Sequence, residues 1–424
     1  MLDINFIREN PDQVRKALID KQLGETLNLD ELLSVDEDLR KITVELDQLR
    51  QKRNELDSKI KTSKDESERK SAIEESTALK PKVIELEGKQ RELKEKFDEL
   101  MLWVPNVPAD DVPVGKDETG NVVFKTVGEK PKFDFEPKDH LEIGEKLDIL
   151  DVVRGAKIAG FRGYFVKGKG AILEQALLRY GFDFMVEQGF TPLNVPVLVN
   201  KENFIGTGYF PWGKDDHYFT QNDQALIGTA EVSITAYRGG ELLEESELPV
   251  MYTGLAPSFR KEIGAHGKDT KGVFRVHYFN KVEQVVLTVA DEEETRKWHE
   301  KMLGYTEQIM QNLGIHYHVL LMCTGDMGAG QRKKYDLEIW FPAQNNFREI
   351  GSASYFNDFQ SRRLNIKYKT RDGEKKYVYT LNNTVLPTPR MLANILENYQ
   401  QKDGSVIVPE VLRKYTGFDV IEGK

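Results

Sequence analysis

The feature that most limits what this chain can fold into is a long heptad pattern near its start. Leu32, Val35, Leu39, Ile42, Leu46, Leu49, Leu56 and Ile60 follow alternating steps of three and four, with Arg53 filling one seam position. A second run follows the polar stretch SKDESERK and comprises Leu79, Val83, Leu86, Leu93, Phe97 and Leu100, with Gln90 in the seam. Such spacing lays an apolar stripe along one side of a helix, and two runs joined by a polar turn predict an antiparallel coiled-coil hairpin. Roughly 30 residues per helix at ~1.5 Å each give an arm on the order of 45 Å long. Pro81 lies in the second segment and is expected to kink it or mark an irregular start. The pattern alone fits an oligomerisation coil as well as a projecting arm. Ahead of it, Asn10-Pro11 fits a helix start, with Val14 and Leu18 sharing a packing face.

A chain of 424 residues is too long for one typical core, so two domains and a linker are expected. The net charge of −10 excludes an all-over basic nucleic-acid coat but leaves local patches open. The single Cys323 excludes an intramolecular disulfide and fits a reducing compartment. With no signal-peptide pattern and no apolar run near ~20 residues, the expectation is a soluble, cytoplasmic protein with no membrane partner. Residues 105–139 are rich in Pro, Gly and Asp and read as a linker or loose bridge. That divides the chain into an N-terminal domain at 1–104, the linker at 105–139 and a second domain at 140–424.

In the second domain, Ala171–Gln188 reads as a helix closed by Gly189, and FTPLNVPVLV as a strand. LIGTAEVSI, 226–234, carries Thr229 and Glu231 two apart and by pattern is an ordinary edge strand. Asp291–Leu313 is an amphipathic helix, and Tyr335–Trp340 and Phe347–Ser352 are strands around a PAQNN turn. His316 and His318 share a strand, but one cysteine and no paired ligand spacing mean that no zinc is expected. Glu349 and Ser352, inside REIGSAS, are hard oxygen ligands suited to magnesium on phosphates. Arg362–Lys376 is the most basic stretch and reads as a surface hairpin, either a solvated face or a secondary RNA contact. Thr388 fits an N-cap and Pro389 a first helical position, which puts Arg390 in a first turn whose free N–H groups and dipole favour an anion.

The densest chemistry lies in FRKEIGAHGKDTKGVFRVHYFNKVE, Phe259–Glu283. Its ends read as strands and its middle, 264–272, as a glycine-rich loop with Lys268 and Lys271. Arg260 and Glu262 sit two apart, so an extended chain points both to one face. On the return, Arg275, His277, Phe279, Lys281 and Glu283 alternate with Val276, Tyr278 and Val282. FR-x-E, a basic loop and FRVHYFNKVEQ together resemble motif 2 of class II aminoacyl-tRNA synthetases, specifically the seryl-tRNA synthetases. The resemblance runs through the whole chain: the helix and strand around Pro196 resemble motif 1, and VLPTPRMLANILE resembles motif 3.

That resemblance implies an α+β fold, a class II antiparallel sheet flanked by helices and preceded by the coiled-coil hairpin. It implies ATP-dependent attachment of L-serine to serine tRNA through seryl-adenylate, and serylation of selenocysteine tRNA. Arg260 and Arg390 are then the catalytic arginines. Thr229 and Glu231 resemble the family's T-x-E loop, whose hydroxyl and carboxylate receive the amino acid's ammonium group, and Thr229, Ala230, Glu231, Glu283 and Thr384 together hold serine. ATP is held by Arg260, Lys261, Glu262, Val276, Phe279, Glu349, Ile350, Gly351, Ser352 and Arg390, with Mg2+ on Glu349 and Ser352. The implied assembly is a homodimer whose arm lies along the tRNA variable arm, where Lys41, Arg50, Lys52, Arg53 and Lys59 meet phosphates. The sequence departs from the family's common pattern at Ala353-Ser354-Tyr355 and Val385–Pro389, and Asn383-Thr384 replaces a frequent Gly-Ser. Two rival readings are a paralogue loading a carrier protein and a non-catalytic RNA-binding scaffold. The arm counts against the first and the retained Arg260, Glu262, Glu349 and Arg390 against the second.

Overall fold

The computed structural model describes residues 1–263 and 272–423. The basic loop segment with Lys268 and Lys271 lies outside the described residues. The chain sorts into two compact units, one of Asp3–Ile19 and Leu23–Val104, the other of Met1–Leu2, Asp20–Gln22 and Pro105–Lys424.

The smaller unit contains the coiled-coil hairpin, helices α1 (Leu29–Thr62) and α2 (Glu66–Leu102). Each starts at a side-chain cap: Asn28 accepts from the Glu31 amide, and Asp65 from those of Ser67 and Glu68. The turn is therefore only Ser63–Asp65, and most of the polar stretch is already helical. Leu46, Val83 and Leu86 are buried in the seam with Ile42 and Leu49 against them. Towards the tip the seam continues through buried Leu56, Ala72 and Ser76.

Pro81 does not mark an irregular start, because α2 begins at Glu66 and runs through it without interruption. A proline inside a helix costs about 3 kcal/mol, chiefly through a lost hydrogen bond and a clash with the carbonyl four residues back. Here Pro81 and Thr77 are both exposed, so that carbonyl meets water. Seam packing on both sides, at Ser76 and Val83, carries the helix across. Ion pairs also link the two helices, Arg50 to Glu87 at 2.8 Å and Lys52 to Glu75 at 2.6 Å.

The larger unit is built on eight strands: β1 (Val122–Val127), β2 (Thr191–Leu193), β3 (Val250–Phe259), β4 (Tyr278–Thr288), β5 (Tyr317–Leu321), β6 (Lys333–Phe341), β7 (Asn346–Asn357) and β8 (Tyr379–Pro387). Their order is β1-β5-β6-β7-β8-β4-β3-β2, antiparallel throughout except for β2 beside β3. Helices α3 (Gly168–Glu187), α5 (Glu292–Asn312) and α6 (Arg390–Asn398) pack against it, and the short α4 (Glu231–Ala236) sits beside β3 and β4. Strand periodicity shows how the two faces divide. Gln284 and Asn383 turn to α5, both donating to the Met302 carbonyl, at 3.1 and 2.8 Å. Their neighbours Glu283 and Thr384 face the other way, into a cavity.

The stretch 105–139 is no loose bridge: β1 comes from it and pairs with β5, and the buried Asn106 amide donates to the carbonyls of Gly330 and Phe356. FTPLNVPVLV is two strands, because β2 ends at Leu193 and Leu198–Asn200 pairs separately with Gln224–Leu226. Of residues 226–234, only Leu226 belongs to a strand; Thr229 lies in a bend and Glu231 opens α4, so the loop resemblance describes this stretch and the edge-strand pattern does not. Of the basic stretch at 362–376, Arg362 and Arg363 belong to the helix Phe359–Leu364, and the hairpin strands are Lys367–Lys369 and Lys375–Tyr377. Among the described residues no helix is long and apolar enough to cross a membrane.

Candidate active site

The cavity, about 350 Å³, brings together residues from the β3 and β4 ends, β6, β7, β8 and the start of α6. Arg260, Glu262, Val276 and Phe279 reach it from the motif 2-like hairpin. Glu349, Ile350, Gly351 and Ser352 reach it from β7, Glu283 and Thr384 from paired positions on β4 and β8, Glu231 from α4, and Arg390 from α6. Thr229 and Ala230 are buried beside it without lining it. Lys261 is turned away, with Nζ 5.8 Å from the Tyr218 ring and 5.9 Å from that of Phe219.

One end is a closed network of carboxylates and hydroxyls. Glu231 accepts from the Tyr209 hydroxyl at 2.6 Å and from Gln360 Nε2 at 2.8 Å. Glu283 pairs with Lys281 and accepts from the Thr229 hydroxyl at 3.0 Å, and Lys281 donates to Thr384 Oγ1 at 3.2 Å. Burial pushes the Glu231 carboxyl up, the Tyr209 bond opposes this, and the charge of Glu283 adds to it. Gly351 is what lets β7 pass so close, since a Cβ there would stand 2.6 Å from that of Thr384.

The other end is walled by arginines. Arg275 pairs with Glu262 at 2.6 Å. Arg390 donates through Nε and Nη2 to the Phe274 carbonyl at 3.1 and 2.6 Å, and through Nη1 to that of Glu349. Enclosure opposes ionisation of Glu349, but Lys334, Arg390, Arg260 and Arg275 outweigh it and hold the carboxyl below its ordinary value. Asp336, opposite Ser352 in register, is pushed up to about 7 by burial, with Lys334 opposing and Glu349 adding. Its Oδ1 is buried without a hydrogen-bond partner. Among the described residues no three His, Cys, Asp or Glu side chains converge as a metal cage. An all-oxygen pair such as Glu349 and Ser352 fits a magnesium ion that takes its remaining ligands from phosphates and water.

Between the ends lies Arg260. Its Nε donates to the Gly228 carbonyl at 3.1 Å, and its guanidinium carbon stands 5.2 Å from the Phe279 ring centre. The expected strand stops short of it, because β3 ends at Phe259 and Glu262 takes a positive φ of 57°. That turn, rather than extended alternation, carries Glu262 to Arg275. His277, expected on the reactive face, instead bonds through Nδ1 to the Arg260 carbonyl at 2.9 Å and does not line the cavity. Helix α6 begins at Arg390 with Pro389 as its cap, one residue later than expected.

Several lining residues had no assigned role in the sequence reading. Arg275 and Lys281 stood in the alternating set without a role. Tyr209, Gln331 and Lys334 gave no local signal, because only the fold brings them to the cavity.

Residues 1–108 match the family model described as seryl-tRNA synthetase N-terminal domain, and residues 216–399 that of the tRNA synthetase class II core domain (G, H, P, S and T). A serine–tRNA ligase of Deinococcus radiodurans is 43% identical over 418 residues, covering 98% of this chain and 98% of that protein. One from Methanosarcina barkeri is 44% identical, covering 98% and 97%. The crystal structure of seryl-tRNA synthetase from Pyrococcus horikoshii complexed with ATP superposes with a TM-score of 0.94 at 39% identity, covering all of both chains. The cytoplasmic serine–tRNA ligase of Naegleria fowleri in complex with AMP gives 0.88 at 33%, covering 100% of this chain and 99% of that one. Full-length identity, both domain matches and the shared fold agree: this chain belongs to the seryl-tRNA synthetase family of class II aminoacyl-tRNA synthetases.

Proposed function

We propose that the cavity binds serine at its Glu231–Glu283–Thr384 end and ATP at its arginine-walled end, and that Arg260 joins the two. The overall reaction is the family's, ATP-dependent attachment of L-serine to serine tRNA. In the first step a serine carboxylate oxygen attacks the α-phosphorus of ATP, forming the mixed anhydride and releasing pyrophosphate. In the second, the terminal ribose hydroxyl of tRNA attacks the anhydride carbonyl, loses its proton and releases AMP. The first step brings two anions together, so positioning and charge neutralisation dominate its barrier. The observation that carries this reading is one cavity with carboxylates and hydroxyls at one end, arginines at the other and Arg260 between.

Phe279 stacks on adenine, Glu262 and the Val276 backbone hold its edge, and Arg390 takes the γ-phosphate. Glu349 and Ser352 hold Mg2+, which supplies charge neutralisation on the phosphates. Glu231, with Thr229 and the backbone at Ala230 behind it, receives the serine ammonium. Glu283 and Thr384 meet the hydroxyl. A site that hydrogen-bonds a hydroxyl rejects the analogue lacking it by roughly 10⁴–10⁵, which makes editing against alanine unnecessary. The hairpin lies along the variable arm of serine tRNA, selenocysteine tRNA is serylated too, and the reaction is cytoplasmic. The test is serine-dependent ATP–pyrophosphate exchange followed by charging of serine tRNA. Exchange without charging would instead favour a paralogue loading another acceptor.

Two further outcomes are expected. Pairing through the α3 and Pro196 region makes a homodimer, and sedimentation as a fully active monomer at micromolar concentration would contradict it. The raised Glu231 carboxyl gives serine binding a pH dependence. The ammonium selects the ionised carboxylate, so binding releases a proton that the empty site still holds in mild acid. The KM for serine therefore rises as pH falls, by up to about tenfold per unit for one coupled proton. Glu231→Gln abolishes that slope, and a flat wild-type profile would remove Glu231 from the ammonium site.

A further inference from the structure

Helix α6 is tied to the segment Gly272–Val276 at two points, once directly and once through His140. At its first residue, Arg390 donates to the Phe274 carbonyl. Two turns on, at the same face, is Glu397, which is fully buried. Its Oε1 lies 2.7 Å from His140 Nδ1 and accepts from the His140 amide at 3.2 Å, and Oε2 accepts from the Ala343 amide at 3.4 Å. On the far side of the ring, His140 Nε2 accepts from the Val273 amide at 3.3 Å. A backbone N–H only donates, so Nε2 carries no proton and Nδ1 gives its own to Glu397. The ring also meets Phe274 edge-on, with centroids 4.8 Å apart. Gly272, at φ +78°, lies so close to the imidazole that any Cβ would overlap it.

We propose that His140 and Glu397 form a latch that positions Gly272–Val276 for ATP, which makes His140 a positioning residue for the nucleotide half of the reaction. The inference rests on the reading above that Arg390, Val276 and the neighbouring backbone surround ATP. The latch fixes the Val273 amide and the Phe274 ring, and the Phe274 carbonyl then holds the Arg390 guanidinium. The return limb of the hairpin is thus tied to both ends of one helix face. Serine contacts lie at the other end of the cavity and share none of these bonds.

Two near-isosteric amides separate the latch from a general packing role. His140→Asn keeps a donor where Nδ1 stood, for Glu397, but offers Val273 no acceptor. His140→Gln places an amide oxygen near the Nε2 position and restores that acceptor. In pyrophosphate exchange His140→Asn is expected to raise the KM for ATP by roughly tenfold, the size of one lost buried hydrogen bond, with the KM for serine unchanged. His140→Gln, which restores the acceptor for Val273 but leaves Glu397 without the Nδ1 donor, recovers part of the loss, and hydrogen exchange at the Val273 amide accelerates in the Asn variant alone. Equal rises in both KM values, or unchanged exchange at the Val273 amide in the Asn variant, would overturn the latch. Arg390→Ala is the reference. If it raises the KM for ATP and His140→Asn does not, the latch is wrong and the ATP reading stands. If neither variant moves it, the ATP reading fails and the latch falls with it.

Discussion

Replacing residues 45–88 with a short flexible linker is expected to leave serine-dependent pyrophosphate exchange near its full rate. Charging of serine tRNA should fall by at least about a hundredfold, a loss of ~3 kcal/mol in tRNA recognition. The cut spares the base of the hairpin, where Gln90 Nε2 donates to Thr43 Oγ1 at 2.9 Å and Arg8 pairs with Asp36 at 2.6 Å. The cavity-lining residues all come from 209 onward, within the larger unit, so adenylate formation has no need of the arm. The removed segment carries Arg50 and Lys52, paired with Glu87 and Glu75. Exposed pairs of that kind are worth about 0–1 kcal/mol, so a phosphate can take the cation at little expense. Wild-type charging should accordingly weaken with added salt more steeply than the shortened enzyme's residual activity. Loss of exchange in a folded deletion variant would sink the separation of the two tasks. Undiminished charging would sink the role of the arm.

What the sequence made legible was mostly what is local. The heptad runs predicted α1 and α2 because apolar residues every three or four positions leave a helix few alternatives. The tip was misjudged because Ala72 and Ser76 fill the seam with side chains too small or polar to register as a stripe. The strand Val122–Val127 was missed because its place is set by pairing with β5, and Pro and Gly around it dominated the local signal. In the site, Phe279, Lys281 and Glu283 were legible by alternation along β4. That alternation misassigned His277, which precedes the strand. Glu262 reached the cavity for a reason no period of two contains, a left-handed turn. Tyr209 and Asp336 acquire meaning only through partners that the fold brings to them, Glu231 and Glu349. The roles of individual residues came from the family resemblance, since neither alternation nor burial distinguishes a phosphate-binding arginine from a structural one.

Arg260→Lys is expected to lose pyrophosphate exchange by about 10²–10³, or roughly 3–4 kcal/mol, the usual cost of removing one donor from a preorganised anion site. The position is fixed from three sides. The Arg260 amide donates to the His277 carbonyl at 3.0 Å, His277 Nδ1 bonds back to the Arg260 carbonyl, and Nε is spent on Gly228. With Nε so anchored, the planar guanidinium has two terminal nitrogens left, in fixed directions, to meet a serine carboxylate and an α-phosphate together. Lysine keeps the charge, but its single ammonium has no fork and cannot hold the Gly228 anchor while facing both anions. The defect should therefore appear before tRNA enters. Binding of a seryl-adenylate analogue should suffer much less, because there the two anions are already joined and one negative charge is gone. If Arg260 were only a solvated cation beside Phe279, charge alone would suffice. A lysine variant that exchanges pyrophosphate at the wild-type rate would establish that and remove Arg260 from the mechanism.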